Sequence, residues 1–101
     1  MKSRSAKNKG VRLQNAIRDL LYKFYPSLES GDIKTAVMGE SGTDIKLSPL
    51  AKKSIIFDIE AKNQEKLNIW SALNQAEDNA EEGRIPLVVF KRNRSKTYAV
   101  L

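Results

Sequence analysis

Ser54-Ile55-Ile56-Phe57-Asp58-Ile59-Glu60-Ala61-Lys62 closes in strict alternation, with Phe57, Ile59 and Ala61 apolar and Asp58, Glu60 and Lys62 charged. Successive side chains of an extended chain point to opposite faces, so the pattern predicts a strand over 54–62 with one apolar and one charged face. Downstream, Asn63 to Lys66 is a polar connection. Trp70, Leu73, Ala76 or Glu77, and Ala80 then recur at helical spacing, which predicts a helix over 67–82 stopped by Gly83. Ile85 to Phe90 has the pattern of a buried strand, and 97–101 that of a last strand after a basic turn.

Upstream, Leu13, Ala16, Ile17, Leu20, Leu21 and Phe24 form one apolar stripe, a helix that starts near Val11 and ends before Pro26. Ile33 to Met38 and Thr43 to Leu47 read as two short strands separated by Gly39-Glu40-Ser41-Gly42. Ser48-Pro49 opens a loop carrying Lys52 and Lys53, and residues 1–9 read as a flexible basic arm. The order α-β-β-β-α-β-β predicts an α/β protein, a single domain over 10–101 in which a small mixed sheet is flanked by helices.

The 101 residues suffice for one core without cross-links. The chain has no Cys and no His, which excludes disulfides, thiol nucleophiles, Cys/His zinc sites and imidazole catalysis. Any chemistry falls to carboxylates, Lys, Tyr, hydroxyls or an oxygen-ligated metal. No stretch has the length of a signal peptide's apolar segment or of a membrane span, so an intracellular protein with no membrane partner is expected.

Charge is placed unevenly. Residues 1–25 hold seven Lys/Arg against one Asp, residues 26–90 hold seven against eleven Asp/Glu, and residues 91–101 hold four with no acid. Basic ends suit a polyanion, since Lys and Arg on phosphates release counterions, and the acidic centre suits a divalent cation. The competing reading is a solvated surface with a basic tail.

Glu60 and Lys62 lie two apart on an extended chain and project the same way. If the preceding strand pairs as a hairpin with theirs, Asp44 reaches the space beside Glu60. Two carboxylates and a backbone carbonyl form an oxygen site for Mg2+ or Mn2+, and a neighbouring Lys can orient water or offset charge on a phosphate. A Glu-x-Lys alone is common, and an exposed charged sheet face is the alternative, one that accommodates Asp58 equally well.

Ser41-Gly42-Thr43-Asp44, then Asp58-Ile59-Glu60-Ala61-Lys62-Asn63, then a helix containing Gln75, resembles the PD-(D/E)XK phosphodiesterases. The stretch from Ile59 to Trp70 is similar to compact phage-type nucleases akin to Holliday junction resolvases. The resemblance implies a restriction-endonuclease-like αβββαβ core and a DNA endonuclease leaving 5′-phosphate and 3′-hydroxyl ends. It implies that Asp44, Glu60 and the Ala61 carbonyl hold Mg2+ or Mn2+, that Lys62 is the catalytic lysine, and that Gln75 assists from the second helix. Related resolvases carry a Glu in the first helix soon after a Lys-Gly pair; here Lys9-Gly10 is followed by Gln14, an uncharged accessory candidate. Thr43 stands where the Pro of the motif would be. Branched DNA and a homodimer are the expected partners; the alternatives are a basic DNA-binding protein without activity and a nicking or flap endonuclease of the same fold.

Lys2, Arg4, Lys7, Lys9 and Arg12 at one end, and Arg92, Arg94 and Lys96 at the other, are the expected phosphate contacts. Glu40 reads as a loop carboxylate and Asp58 as outer or surface. Trp70 reads as a core or dimer-interface aromatic, and Tyr22 and Tyr25 as partial core.

Overall fold

The computed structural model describes the backbone of residues 2–101 and the side chains of residues 8–101. Helix α1 (Lys2–Phe24) buries Leu13 and Ile17, carries Lys23 in its last turn where the helix dipole favours a cation, and stops short of Pro26. It runs back through the basic segment expected to be a flexible arm. Lys, Arg and Ala are good helix formers and no Pro intervenes, but a turn with no apolar stripe leaves no periodic signal.

Strands β1 (Ile33–Thr35) and β2 (Ile45–Leu47) form an antiparallel hairpin with Thr35 opposite Ile45. Both are shorter than the sequence pattern suggests. The connection bulges away from the body, leaving Val37 and Met38 exposed, and turns through Gly39 and Gly42 at φ 83° and 89°. The Tyr22 hydroxyl accepts from the amide of Ile33 and donates to its carbonyl, both at 2.9 Å, fastening β1 to α1.

The segment expected to be a loop is a helix, α2 (Pro49–Ser54). Ser48 caps it by accepting from the Ala51 amide at 3.0 Å, and Pro49 supplies the pre-set first turn. Ser54 to Ile56 therefore belong to the helix and its exit, and strand β3 spans Phe57–Asn63.

Helix α3 (Ile69–Asn79) is capped by the Asn68 side chain, which accepts from Ser71. It crosses back to β4 (Ile85–Lys91), which runs parallel to β3, with Phe57 opposite Ile85 and Asn63 opposite Lys91. Strand β5 (Tyr98–Val100) returns antiparallel to β4. The result is an α/β protein in which the β1–β2 hairpin forms a separate two-stranded sheet beside a small mixed sheet of β3, β4 and β5.

Helix α1 covers one face of this sheet, where Leu13 and Ile17 join Ile33, Ile45, Ile55, Ile59 and Val89 in a continuous core. Helix α3 covers the other, setting Ala72 and Ala76 against Val88. Its buried stripe is thus Ala72 and Ala76, with Asn79 half-buried beyond them, rather than one centred on Trp70, which is 75% exposed and not core. Small side chains let the helix approach Val88 closely, and Trp70 lies on the opposite side. Tyr22 and Tyr25 are partly buried against the first core, as expected.

Candidate active site

Strand β3 is covered on both faces. Phe57, Ile59 and Ala61 meet the α1 side, while Asp58 and Glu60 face α3 at 5% and 1% exposure. An exposed charged sheet face is therefore ruled out: each of these two carboxylates is buried and must be satisfied by protein.

Asp58 is satisfied by a structural device. Its Oδ1 pairs with Arg84 Nε at 2.7 Å, and its Oδ2 accepts from the Glu81 amide at 2.9 Å. The remaining guanidinium donors reach the carbonyls of Lys52, Ile55 and Phe57, so one side chain ties α2, β3 and the α3–β4 turn together. Asp58 is thus neither a surface group nor free to bind a ligand.

Glu60 is different. Its Oε1 accepts from Asn79 Nδ2 at 2.8 Å, and no cation forms an ion pair with it among the described residues. Burial pushes its pKa up from 4.5 to about 7; the Asn79 hydrogen bond opposes this, the neighbouring Asp44 carboxylate adds to it, and Lys62 pulls down. Asp44, Glu60 and Lys62 therefore share one electrostatic neighbourhood.

Asp44 is brought there by the backbone. Its amide donates to the Ile59 carbonyl at 3.2 Å, and its Oδ2 accepts from the Ala61 amide at 2.8 Å. These two bonds join the β1–β2 hairpin to β3, and the Asp44 carboxylate also lies within hydrogen-bonding reach of Glu60. The N–H and C=O of one strand residue point to the same edge, so the Ala61 carbonyl lies on the edge where Asp44 sits. Asp44 and Lys62 are half-buried, open enough for a ligand to reach them.

Gln75 is exposed and makes no hydrogen bond to either carboxylate, which corrects the role expected for it. Asn79, one turn further on, takes that position, because the Ala72–Ala76 stripe that packs the helix carries Asn79 toward β3. Gln14 is half-buried on α1 and bonds to neither carboxylate; α1 lies on the face of β3 opposite Glu60. The sequence pattern singles out neither Asn79 nor Arg84. The small-residue stripe is the available signal for the first, and nothing local signals the second.

The basic residues meet at one end of the sheet. Asn63 Nδ2 donates to the Lys9 carbonyl at 3.3 Å, and the Gln64 amide to the Lys91 carbonyl at 3.1 Å, so α1 and the β4–β5 turn both adjoin the end of β3 that carries Lys62. Arg12, Arg92, Arg94 and Lys96 are exposed and Lys9 is half-buried; the side chains of Lys2, Arg4 and Lys7 lie outside the described residues. The turn is ordered by the Asn93 amide donating to Glu65 at 2.7 Å, and Arg94 adopts φ 63°. Glu40 is a loop carboxylate that accepts from the Val37 amide.

Among the described residues no group of three or more acidic, His or Cys side chains forms a metal cluster. The candidate set is two carboxylates and a carbonyl, hard oxygen donors suited to Mg2+ or Mn2+. A cation beside Glu60 would offset the burial that raises its pKa, so the donor chemistry fits such an ion. A cavity of about 670 Å³ beside Arg18, Tyr22 and Lys34 contains none of these groups. No helix among the described residues is long and apolar enough to cross a membrane. Comparison with known protein families, curated proteins and solved structures gave no match.

Proposed function

We propose that the protein is a metal-dependent DNA endonuclease with a restriction-endonuclease-like core, acting on branched DNA such as a Holliday junction. The observation that carries this reading is the convergence of Asp44, from the turn before β2, with Glu60 and Lys62 of β3 on one partly open site. The order of elements around it is a helix, a hairpin, the short helix α2, the Glu60 strand, a crossover helix and a parallel strand; apart from α2, which separates the hairpin from β3, this is the order the resemblance implies.

Asp44, Glu60 and the Ala61 carbonyl would hold Mg2+ or Mn2+. When bound, such an ion supplies Lewis acidity to a phosphodiester and its attacking water. Lys62 brings a positive charge to the phosphate oxygens as negative charge builds on them. Asn79 fixes the Glu60 side chain, and the Ala61 amide fixes that of Asp44, so both carboxylates are oriented before substrate arrives. Cleavage leaves 5′-phosphate and 3′-hydroxyl ends. Two strands of a junction are cut by two copies of the site, which calls for a homodimer.

The test is a panel of four-way, nicked, flapped and linear DNAs with Mg2+ or Mn2+, using wild type, Asp44→Asn and Glu60→Gln. Metal-dependent cleavage, strongest on the four-way junction and abolished in both variants, is expected. Near wild-type cleavage by either variant under saturating metal overturns the assignment.

A further inference from the structure

We infer that a cleft beside the candidate active site binds one unpaired nucleotide of the DNA, with its base stacked on Tyr98. The cleft has a volume of about 370 Å³ and is lined by Gln64, Leu67, Phe90, Lys91, Arg92 and Tyr98 among others.

Its position follows from strand register. Lys62 is the cross-strand partner of Phe90, and Phe90 is the partner of Tyr98. Paired residues project to the same face of a sheet, so Lys62, Phe90 and Tyr98 form a row on the face that also bears Glu60. With strands ~4.8 Å apart, Tyr98 stands ~10 Å from Lys62. A nucleotide next to the phosphate held at Lys62 reaches that far.

Its chemistry is that of a base with its phosphate. Leu67 and Phe90 provide an apolar floor. The Tyr98 ring lies 5.9 Å from that of Phe90 at 31° and is held on one side only, since Tyr98 remains 54% exposed. Gln64 offers an amide able to donate to and accept from a base edge, and Lys91 and Arg92 give the rim a net positive charge against one carboxylate, Glu65, which accepts from the Asn93 amide. Aromatic face, amide and cations together are the elements of single-strand recognition. A base inside a duplex has both faces stacked and cannot use Tyr98, so the cleft selects DNA in which a branch point or bulge frees one nucleotide from its stack beside the cut.

This inference rests on the nuclease reading for its substrate, but it is tested by binding alone. The affinities of wild type, Tyr98→Ala, Tyr98→Leu and Tyr98→Phe are measured by fluorescence anisotropy in chelator, where no strand is cut. One labelled duplex carries a single-nucleotide bulge and a second is fully paired. Tyr98→Leu keeps an apolar side chain over Phe90 and removes only the aromatic face, so it separates stacking from folding. The expected result is a loss of about tenfold in affinity for the bulged DNA in the Ala and Leu variants. Tyr98→Phe retains affinity, and the paired duplex is bound equally by all four. Unchanged affinity of the Leu variant for the bulged DNA, or equal losses on both DNAs, overturns the inference and leaves the nuclease reading standing. Failure of wild type to bind either DNA overturns both.

Discussion

Asn79 Nδ2 donates to Glu60 Oε1 at 2.8 Å, and this bond joins the last residue of α3 to a carboxylate only 1% exposed on β3. It both satisfies a buried oxygen and sets the rotamer of the proposed metal ligand. Asn79→Ala leaves that oxygen without its donor, so a stability loss of about 1–3 kcal/mol is expected. Cleavage should fall more than DNA affinity does. Asn79→Asp should be worse on both counts in metal-free buffer, because it adds a third carboxylate. Thermal melts beside single-turnover rates test this; full activity in Asn79→Ala would show that Glu60 is oriented by other groups.

The raised pKa of Glu60 makes metal-free stability depend on pH. The folded protein holds this proton up to about pH 7, while the unfolded chain releases it near 4.5. The contribution is complete below 4.5, declines as pH rises and is gone above about 7. Asp32, whose pKa is lowered by its hydrogen bonds with Glu29 and Ser48, acts in the opposite sense at acid pH. Comparison with Glu60→Gln isolates the Glu60 component: the difference in unfolding free energy between the two proteins should widen from pH 4.5 to 8. Mg2+ or Mn2+ should narrow it again. Parallel profiles would contradict the burial argument.

Arg84 is a structural residue whose removal should unfold more than it inactivates. Arg84→Ala strands the buried Asp58 carboxylate and the carbonyls of Lys52, Ile55 and Phe57. Breaking one side of a buried pair costs about 3–5 kcal/mol, a large share of a small domain's stability. Arg84→Lys should recover little, since an ammonium cannot reproduce the fork. Urea denaturation measures both variants. A loss under 1 kcal/mol in Arg84→Ala would mean that the pocket collapses or hydrates.

In the proposed mechanism the Lys62 charge acts at the reacting phosphate, so Lys62→Ala should lower single-turnover cleavage by roughly 100-fold or more with a smaller effect on DNA affinity. An effect confined to binding would make it a phosphate clamp.

Neutralising Arg92, Arg94 and Lys96 should weaken binding across DNA sequences and lower the salt slope by about one for every phosphate left without its cation. A slope identical to wild type would assign these residues to solubility.

The α/β class, the alternation of β3, the helix between β3 and β4, and the placing of Glu60 and Lys62 on one face were legible along the chain. Each depends on neighbours close in sequence. Period-two alternation identified β3, and the i, i+2 relation put Glu60 and Lys62 on one face. The caps of α2 were also present in Ser48 and Pro49, but six residues are too few for apolar periodicity to show. The basic first turns of α1 were silent for the same reason, having no apolar stripe to count. What lies across the sheet could not be read this way. Which face of α3 is buried was settled by the close fit of Ala72 and Ala76 against Val88, and that fit exposes Trp70 and turns Asn79 rather than Gln75 toward Glu60. Asp58 and Glu60 are alike in sequence, two residues apart on one strand. One is neutralised by Arg84, 26 residues away, and the other lies beside Asp44 with no ion-pair partner among the described residues. Burial and long-range partners decide the chemistry of a carboxylate, and both exist only once the chain has packed.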